Sequence, residues 1–495
     1  MQQNELAILV DAILKKVAHG DGYVIVRAES RRERSLRLSN GRLERVATGG
    51  DEGLGVQVFT AQGVSGFASA DVLSLETGLR LVERALSLAQ RNERLGAKNN
   101  REIWKAKPLQ AEVKNPARSF GEVPLAELQT RCLALHEGVR KAFPEAVWQS
   151  SFRQVEDSWC IGRSDGTRVS FTIPRAVLMH QGTVHQEGKS ASTLVHRSGT
   201  DAQILGEEQT DHRLERKAAE RAELARAVST APFLASGHYP LVIDYGLAKG
   251  LAHEAFGHAV ESDHMQESVL GEQGKLKRGL KVARPSVHIM DGPLPGDWAY
   301  QPFSANGLPR ETVRIVQNGI LEAGLGDIFS AAEAGMAVSG AGRAESYAHV
   351  PLPRMSNIRL IVDEAAEFQE SGTLMGDVRR MREVLLERGE IKAGEKTLLL
   401  LGYRGGQVNP KTGDFVFQCE GIVDLGDEDL RIYRPSIFSG KILSALQAIK
   451  LGVGAEAFDA IGTCGKGGQS VPSSGGSSRF IFLEVSDQVS LGGEG

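Results

Sequence analysis

YPLVIDYGLAKGLAHEAFGHAVE, Tyr239 to Glu261, decides how the second half of this chain folds. Tyr239–Asp244 is strand-like. From Gly246 onward Leu247, Leu251, Ala252, Ala255, Phe256, Ala259 and Val260 recur at three-to-four spacing, which predicts a helix reaching Glu261. His253, Glu254 and His258 lie on that largely apolar helix. Carboxylates such as Glu254, Glu261 and Asp263 are costly in such surroundings unless a metal or another partner offsets them. The expectation is a metal site with its own general base.

The spacing H-E-x-x-x-H is one residue longer than the H-E-x-x-H of many zinc peptidases. A helix turns about 100° per residue, so residues i and i+4 sit about 40° apart, and i and i+5 about 140° apart. His253 and His258 therefore share a metal only if the helix bulges, for example by one π-type turn, or ends between them. Such inserted turns concentrate at functional sites, and Gly257 makes the distortion cheap.

Catalytic zinc usually takes three protein ligands and keeps one position for water. After His253 and His258 the candidates for the third are His264, His288, Glu261, Asp263 and Cys464. Cys464 leads modestly, because Gly462-Thr-Cys-Gly-Lys-Gly-Gly468 is a glycine-rich turn able to bring its sulfur to another segment. That turn is not a phosphate loop, since Gly467 follows the lysine where Ser or Thr is required.

Further out, 495 residues suffice for two or more domains. A net charge of −4 gives no basic footprint for nucleic acid. MQQNELAILVDAILKKVAHG reads as an amphipathic helix and lacks the features of a signal peptide. No apolar run is long enough for a membrane span. Four dispersed cysteines, Cys132, Cys160, Cys419 and Cys464, suggest reduced thiols in a cytoplasmic protein.

The first half reads as helices and antiparallel hairpins in blocks rather than as alternating βαβ units. Tyr23–Arg27, Ser35–Leu38, Gly55–Phe59 and Gly63–Phe67 read as strands, with a hairpin at Asn40-Gly41. Leu75–Ala89 and Leu125–Ala142 read as helices. Val147–Glu156, Trp159–Gly162, Arg168–Pro174 and Ala176–Gln186 read as four strands. Glu207–Val228 reads as a solvated, charged connecting helix. A boundary is expected in Pro232–Pro240. The fold class is therefore α+β with two domains. Residues 1–230 form N-terminal helices packed on an antiparallel sheet, and residues 231–495 form a β-rich domain carrying the metal-binding helix.

Over nearly its whole length the chain resembles the TldD/PmbA (TldD/TldE) family of metallopeptidases. The resemblance is carried by Gly53-Leu-Gly-Val-Gln-Val58, Gly66-Phe-Ala-Ser69, HEAFGHAVESD from His253, Asn318-Gly-Ile-Leu321, Gly340-Ala-Gly-Arg343 and Pro353-Arg-Met-Ser-Asn357. Gly405-Gly-Gln-Val-Asn-Pro-Lys-Thr-Gly-Asp-Phe415 and Gly462-Thr-Cys-Gly-Lys-Gly-Gly-Gln469 complete it. It implies a TldD-type subunit in which His253, His258 and Cys464 bind Zn2+ and Glu254 is the catalytic base. The implied reaction is hydrolysis of peptide bonds in unfolded or short peptides. The implied assembly is a homodimer or a heterodimer with a TldE/PmbA-like subunit. Phe303-Ser-Ala-Asn-Gly307 departs from the family's acidic D-x-E-G stretch.

Within that reading, Glu254 would pass the water proton to the leaving amine. Glu261 or Asp263 would orient a ligand imidazole. Arg343, Tyr347 and Arg354 are candidate substrate contacts, and a peptide would bind by adding a strand to an exposed edge. The alternatives are a non-catalytic binding or regulatory subunit, and an iron site of two histidines and a carboxylate.

Overall fold

The structure, a computed structural model, describes residues 3–17, 22–114, 122–206 and 208–492. Its first sheet is built from β1 (Tyr23–Ser39), β2 (Arg42–Phe59), β3 (Ser65–Ala70), β4 (Gln110–Val113), β5 (Val147–Arg163), β6 (Arg168–Gln186) and β7 (Lys189–Gly199). The order is β3-β2-β1-β5-β6, with β4 and β7 both on β6. Only β4 runs parallel to its neighbour. The β1–β2 hairpin closes at Asn40 (φ 50°) and Gly41 (φ 75°). Positive φ at both positions is what a tight two-residue turn needs.

Strand alternation decides the layers. Val24, Val26 and Ala28 lie under helices α1 (Gln3–Lys16) and α2 (Leu75–Arg94). Leu36 and Leu38, further along β1, lie under α3 (Leu125–Ala142) and α4 (Glu208–Thr230). Tyr23, Ile25, Trp159 and Ile161 point the other way, against Phe303 and Ile328 of the second half. Burying each such side chain contributes about 1.5–3 kcal/mol.

Several sequence expectations change. The four strands expected between Val147 and Gln186 are two, running straight through Glu156–Trp159 and Pro174. Proline is tolerated at 174 because β4 pairs β6 only at Arg168–Phe171 and β7 only from Ala176. One edge of β6 is thus unpaired there, as proline requires. The charged helix α4 is not a solvated connector: Leu214, Ala218, Ala222 and Ala225 are buried in the core it shares with the sheet. The expected N-terminal helix stops at Lys16, and residues 18–21 lie outside the described residues.

The second half contains β8 (Leu241–Asp244), β9 (Val287–Gly292), β10 (Val313–Gln317), β11 (Asn357–Val362), β12 (Leu398–Asn409) and β13 (Asp414–Asp424). β14 (Ile437–Lys441), β15 (Ile449–Ala457), β16 (Gly462–Lys466), β17 (Gln469–Leu483) and β18 (Val489–Gly492) follow. Helices α5 (Tyr245–Ala252), α6 (Leu374–Glu387) and α7 (Ile442–Ala448) interrupt them. The main sheet runs β10-β9-β11-β17-β8-β12-β13-β14-β18, with β15 and β16 also on β17. The fold is α+β, with each half holding its own sheet.

β8 is central, antiparallel to β17 and parallel to β12. It is buried throughout, which explains its unbroken apolar run. α5 therefore leaves from the middle of the sheet. Asp244 fixes its start: Oδ1 accepts the Leu247 N–H (3.0 Å) and Oδ2 accepts the Gly402 N–H of β12 (2.6 Å). No helix among the described residues is long and apolar enough to cross a membrane.

Candidate metal centre

α5 is apolar apart from Tyr245 and Lys249. Leu247, Ala248, Leu251 and Ala252 are fully buried. Beyond Ala252 the backbone widens into one π-type turn, His253–Gly257, closed by the His258 N–H on the His253 carbonyl. A 3-10 turn, His258–Val260, follows, and Glu261 is extended. The helix thus both bulges and ends, and this brings His253 and His258 to one side. Their rings sit 5.2 Å apart, edge to face. Gly257 has helical φ (−55°), so its role is space rather than backbone freedom: an added Cβ would lie 1.6 Å from the Met355 sulfur.

Cys464 comes from β16. The β16–β17 hairpin turns at Gly467 (φ 57°) and Gly468 (φ 75°), carrying the buried thiol onto the end of the helix. One ligand atom each of His253, His258 and Cys464 lie within 4.8 Å of one another, and His258 Nε2 is 3.8 Å from Sγ. Zinc bonds of about 2.0–2.1 Å to nitrogen and 2.3 Å to sulfur place tetrahedral donors about 3.5 Å apart. The present spacing fits such an ion with a small contraction. His253 Nδ1 is buried without a hydrogen-bond partner among the described residues. Burial, then the charge of Lys249, holds the His253 imidazole well below its ordinary pKa, favouring the neutral form that metals bind.

Surrounding groups orient these donors. Glu261 Oε2 lies 3.2 Å from His258 Nδ1 and 2.8 Å from Lys466 Nζ. Burial would lower the His258 pKa, but the Glu261 carboxylate and Cys464 together outweigh it, and the group is raised well above the ordinary value. Lys466 also pairs with Asp263 (2.6 Å). Glu261, Asp263 and His264 cluster, yet their carboxylates are already committed to His258 and Lys466. His288 lies apart, against Asp363 (2.8 Å). Glu261→Gln is expected to weaken zinc binding about 10–100-fold with little change in fold; competition with a chelator of known affinity measures it, and unchanged affinity would deny Glu261 an orienting role.

Glu254 is half-buried on the wall of a cavity of about 680 Å³ shared with His253, His258, Gln407, Asn409 and Lys466. Burial raises its carboxyl pKa, and the charges of His258 and Lys249 oppose that rise. Among the described residues it has no hydrogen-bond or ion-pair partner, which leaves its oxygens available.

The other expected site residues are interior. Arg354 is fully buried: Nε donates to Cys464 Sγ (3.3 Å) and Nη2 to the Cys464 carbonyl. Arg343 is 1% exposed and donates to the carbonyls of Met355 (2.5 Å) and Pro472 (2.7 Å). Tyr347 docks the two halves. Its N–H donates to Glu29 Oε2 (2.6 Å) and its hydroxyl to Asp71 (2.8 Å). Side chains at Gly53 and Gly55 would strike Tyr347 at 2.3 and 2.0 Å, which explains the G-L-G-V motif. None of the three lines the cavity beside Glu254. Asn306, in the departing Phe303–Gly307 stretch, bonds Arg27 (2.7 Å) and Asp327 (3.0 Å), so that departure sits at the junction of the halves. Sequence reading missed Lys249, a buried cation one turn before His253 whose charge reaches Glu254 and Cys464. Its i−4 position relative to His253 was the available signal.

Residues 236–472 match the family described as PmbA/TldA metallopeptidase C-terminal domain, and residues 24–89 match PmbA/TldA metallopeptidase domain 1. A metalloprotease of Archaeoglobus fulgidus is 33% identical over 63% of this chain and 67% of its own length. A metalloprotease TldD homolog of Haemophilus influenzae is 25% identical over 90% and 87%. Among solved structures, TldE from Thermococcus kodakarensis superposes with a TM-score of 0.71 at 14% identity, covering 99% of this chain and 100% of that one.

Proposed function

The chain belongs to the PmbA/TldD metallopeptidase family, and from that premise we propose that it is a zinc-dependent peptidase acting on unfolded or short peptides. The observation that carries this reading is the convergence of His253, His258 and Cys464 beside the unpartnered carboxylate of Glu254. His253, His258 and Cys464 would hold the ion. When bound, zinc supplies Lewis acidity and lowers the pKa of a coordinated water. Glu254 accepts the proton of the attacking water and delivers it to the nitrogen of the breaking peptide bond, so the proton balance closes on one residue. Glu261 keeps the His258 ring oriented through Nδ1, and Arg354 anchors both the sulfur and the carbonyl of Cys464.

Peptide binding would use the edge of β12. β8 pairs β12 at Leu398–Leu400, and among the described residues no strand pairs that side from Tyr403 to Asn409. Gly406, Gln407, Val408 and Asn409 line the cavity of Glu254. An extended peptide added there gains main-chain hydrogen bonds without reading many side chains. A second copy of the chain or a TldE-like subunit would be its partner. The test is hydrolysis of an unfolded polypeptide before and after chelation. The expected result is loss of cleavage on zinc removal and recovery on zinc return; cleavage indifferent to chelation overturns the reading.

A further inference from the structure

A second cavity, about 540 Å³, is lined by two segments of chain that continue into the lining of the metal cavity. Gly402, Tyr403 and Arg404 of β12 line it, and Gly406–Asn409 line the metal cavity. On the opposite wall Ala460 and Ile461 lead to Thr463 of the metal cavity. Lys217 of α4 and Lys249 of α5 reach it from separate elements.

Its charge is unbalanced. Lys217, Arg221, Lys249 and Arg404 line it, against the carboxylates Asp244 and Glu420. Both carboxylates are engaged. Asp244 caps α5 and holds Gly402, while Glu420 accepts from Thr193 (3.3 Å). Arg221 lies 3.7 Å from Asp244 and 3.5 Å from Glu420. Among the described residues Arg404 donates to a carbonyl, that of Ser192. Lys249, 4% exposed, has one long hydrogen bond, 3.4 Å to Ser473 Oγ. Lys217 has no carboxylate within ion-pair distance among the described residues, although the charges of Asp459 and Asp244 reach it. Lys217 and Lys249 thus bring two amino groups from separate elements to one polar cavity with no ion-paired carboxylate among the described residues. Burial lowers the pKa of each, and an anion arriving there favours the charged forms.

We propose that this cavity binds a carboxylate of the substrate peptide through Lys217 and Lys249. The inference rests on the peptidase reading above. β12 runs from Gly402 towards Asn409, so a peptide pairing antiparallel to it points its C-terminus at the cationic cavity. A parallel peptide would bring its N-terminal ammonium there, against like charge. Strands advance about 3.3 Å per residue, so the four residues from Gly402 to Gly406 span at most about 13 Å, shortened by the bulge between Tyr403 and Gly405. Cleavage beside Glu254 would then release short C-terminal fragments. The carboxylate could come from the chain terminus or from an acidic side chain close to it.

The test uses the full chain carrying Glu254→Gln, loaded with zinc, and a short unstructured Ala/Ser/Gln peptide with a free or an amidated C-terminus. Titration calorimetry is expected to show at least about tenfold weaker binding of the amide, the scale of one charge-assisted hydrogen bond. A further Lys217→Gln change should bring the free acid down to the level of the amide. Recovery on placing glutamate next to the amidated end would keep the cavity as the carboxylate site and assign a side chain as its ligand. Equal affinity of all three peptides overturns the proposal, even if the unsubstituted enzyme cleaves them, and leaves the peptidase reading standing. Carboxylate-dependent binding without cleavage by the unsubstituted zinc-loaded chain would instead overturn the peptidase reading.

Discussion

Glu254→Gln is expected to lower kcat about 10²–10⁴-fold, the usual contribution of a positioned general base, while the protein keeps its zinc. Glu254 lies on the cavity wall next to both imidazoles. Burial raises its carboxyl pKa, and the neighbouring charges of His258 and Lys249 oppose that rise. A base whose pKa is moved towards the working pH by opposed effects is suited to take and return one proton. Glutamine preserves volume and removes only the proton acceptor, so KM should move little. Zinc content measured with steady-state kinetics checks this. A variant retaining most of its kcat would show that another group carries the proton.

Cys464→Ala should cost zinc rather than the fold. Structural zinc binding in small domains totals about 10–16 kcal/mol, so one of four donors is worth roughly 3 kcal/mol, or about two orders of magnitude in affinity. The thiol is buried on a hairpin whose pairing with β17 runs from Gly462↔Ser473 to Lys466↔Gln469. That backbone ladder does not depend on sulfur. Circular dichroism should therefore be unchanged while zinc affinity falls and hydrolysis is lost at limiting zinc. Unaltered zinc affinity would remove Cys464 from the ligand set.

Much of this arrangement was legible because it is local. The spacing of His253 and His258 demanded a distorted helix, and the distortion is present as a π-type turn. Asn40-Gly41 announced its hairpin through turn chemistry alone. What escaped is what depends on packing between distant segments. Gly257 reads as a flexible position, yet the Met355 sulfur is what excludes a side chain there. Arg343 and Arg354 read as surface cations able to meet a peptide. Their donors go instead to interior atoms more than a hundred residues away, in Pro472 and Cys464. α4 looked solvated because its charges outnumber its apolar residues, although the face it turns to the first sheet is mostly alanine, Ala218, Ala222 and Ala225 beside Leu214. Pro174 looked like a strand end because local sequence cannot show that one edge of β6 is unpaired.

The measurement that bears most directly on the centre is zinc K-edge absorption of the purified, zinc-loaded chain. The account predicts one sulfur at about 2.3 Å and nitrogen or oxygen neighbours at about 2.0–2.1 Å, with the sulfur absent in Cys464→Ala. A zinc shell containing only nitrogen and oxygen, or one with several sulfurs, would contradict the assignment of His253, His258 and Cys464.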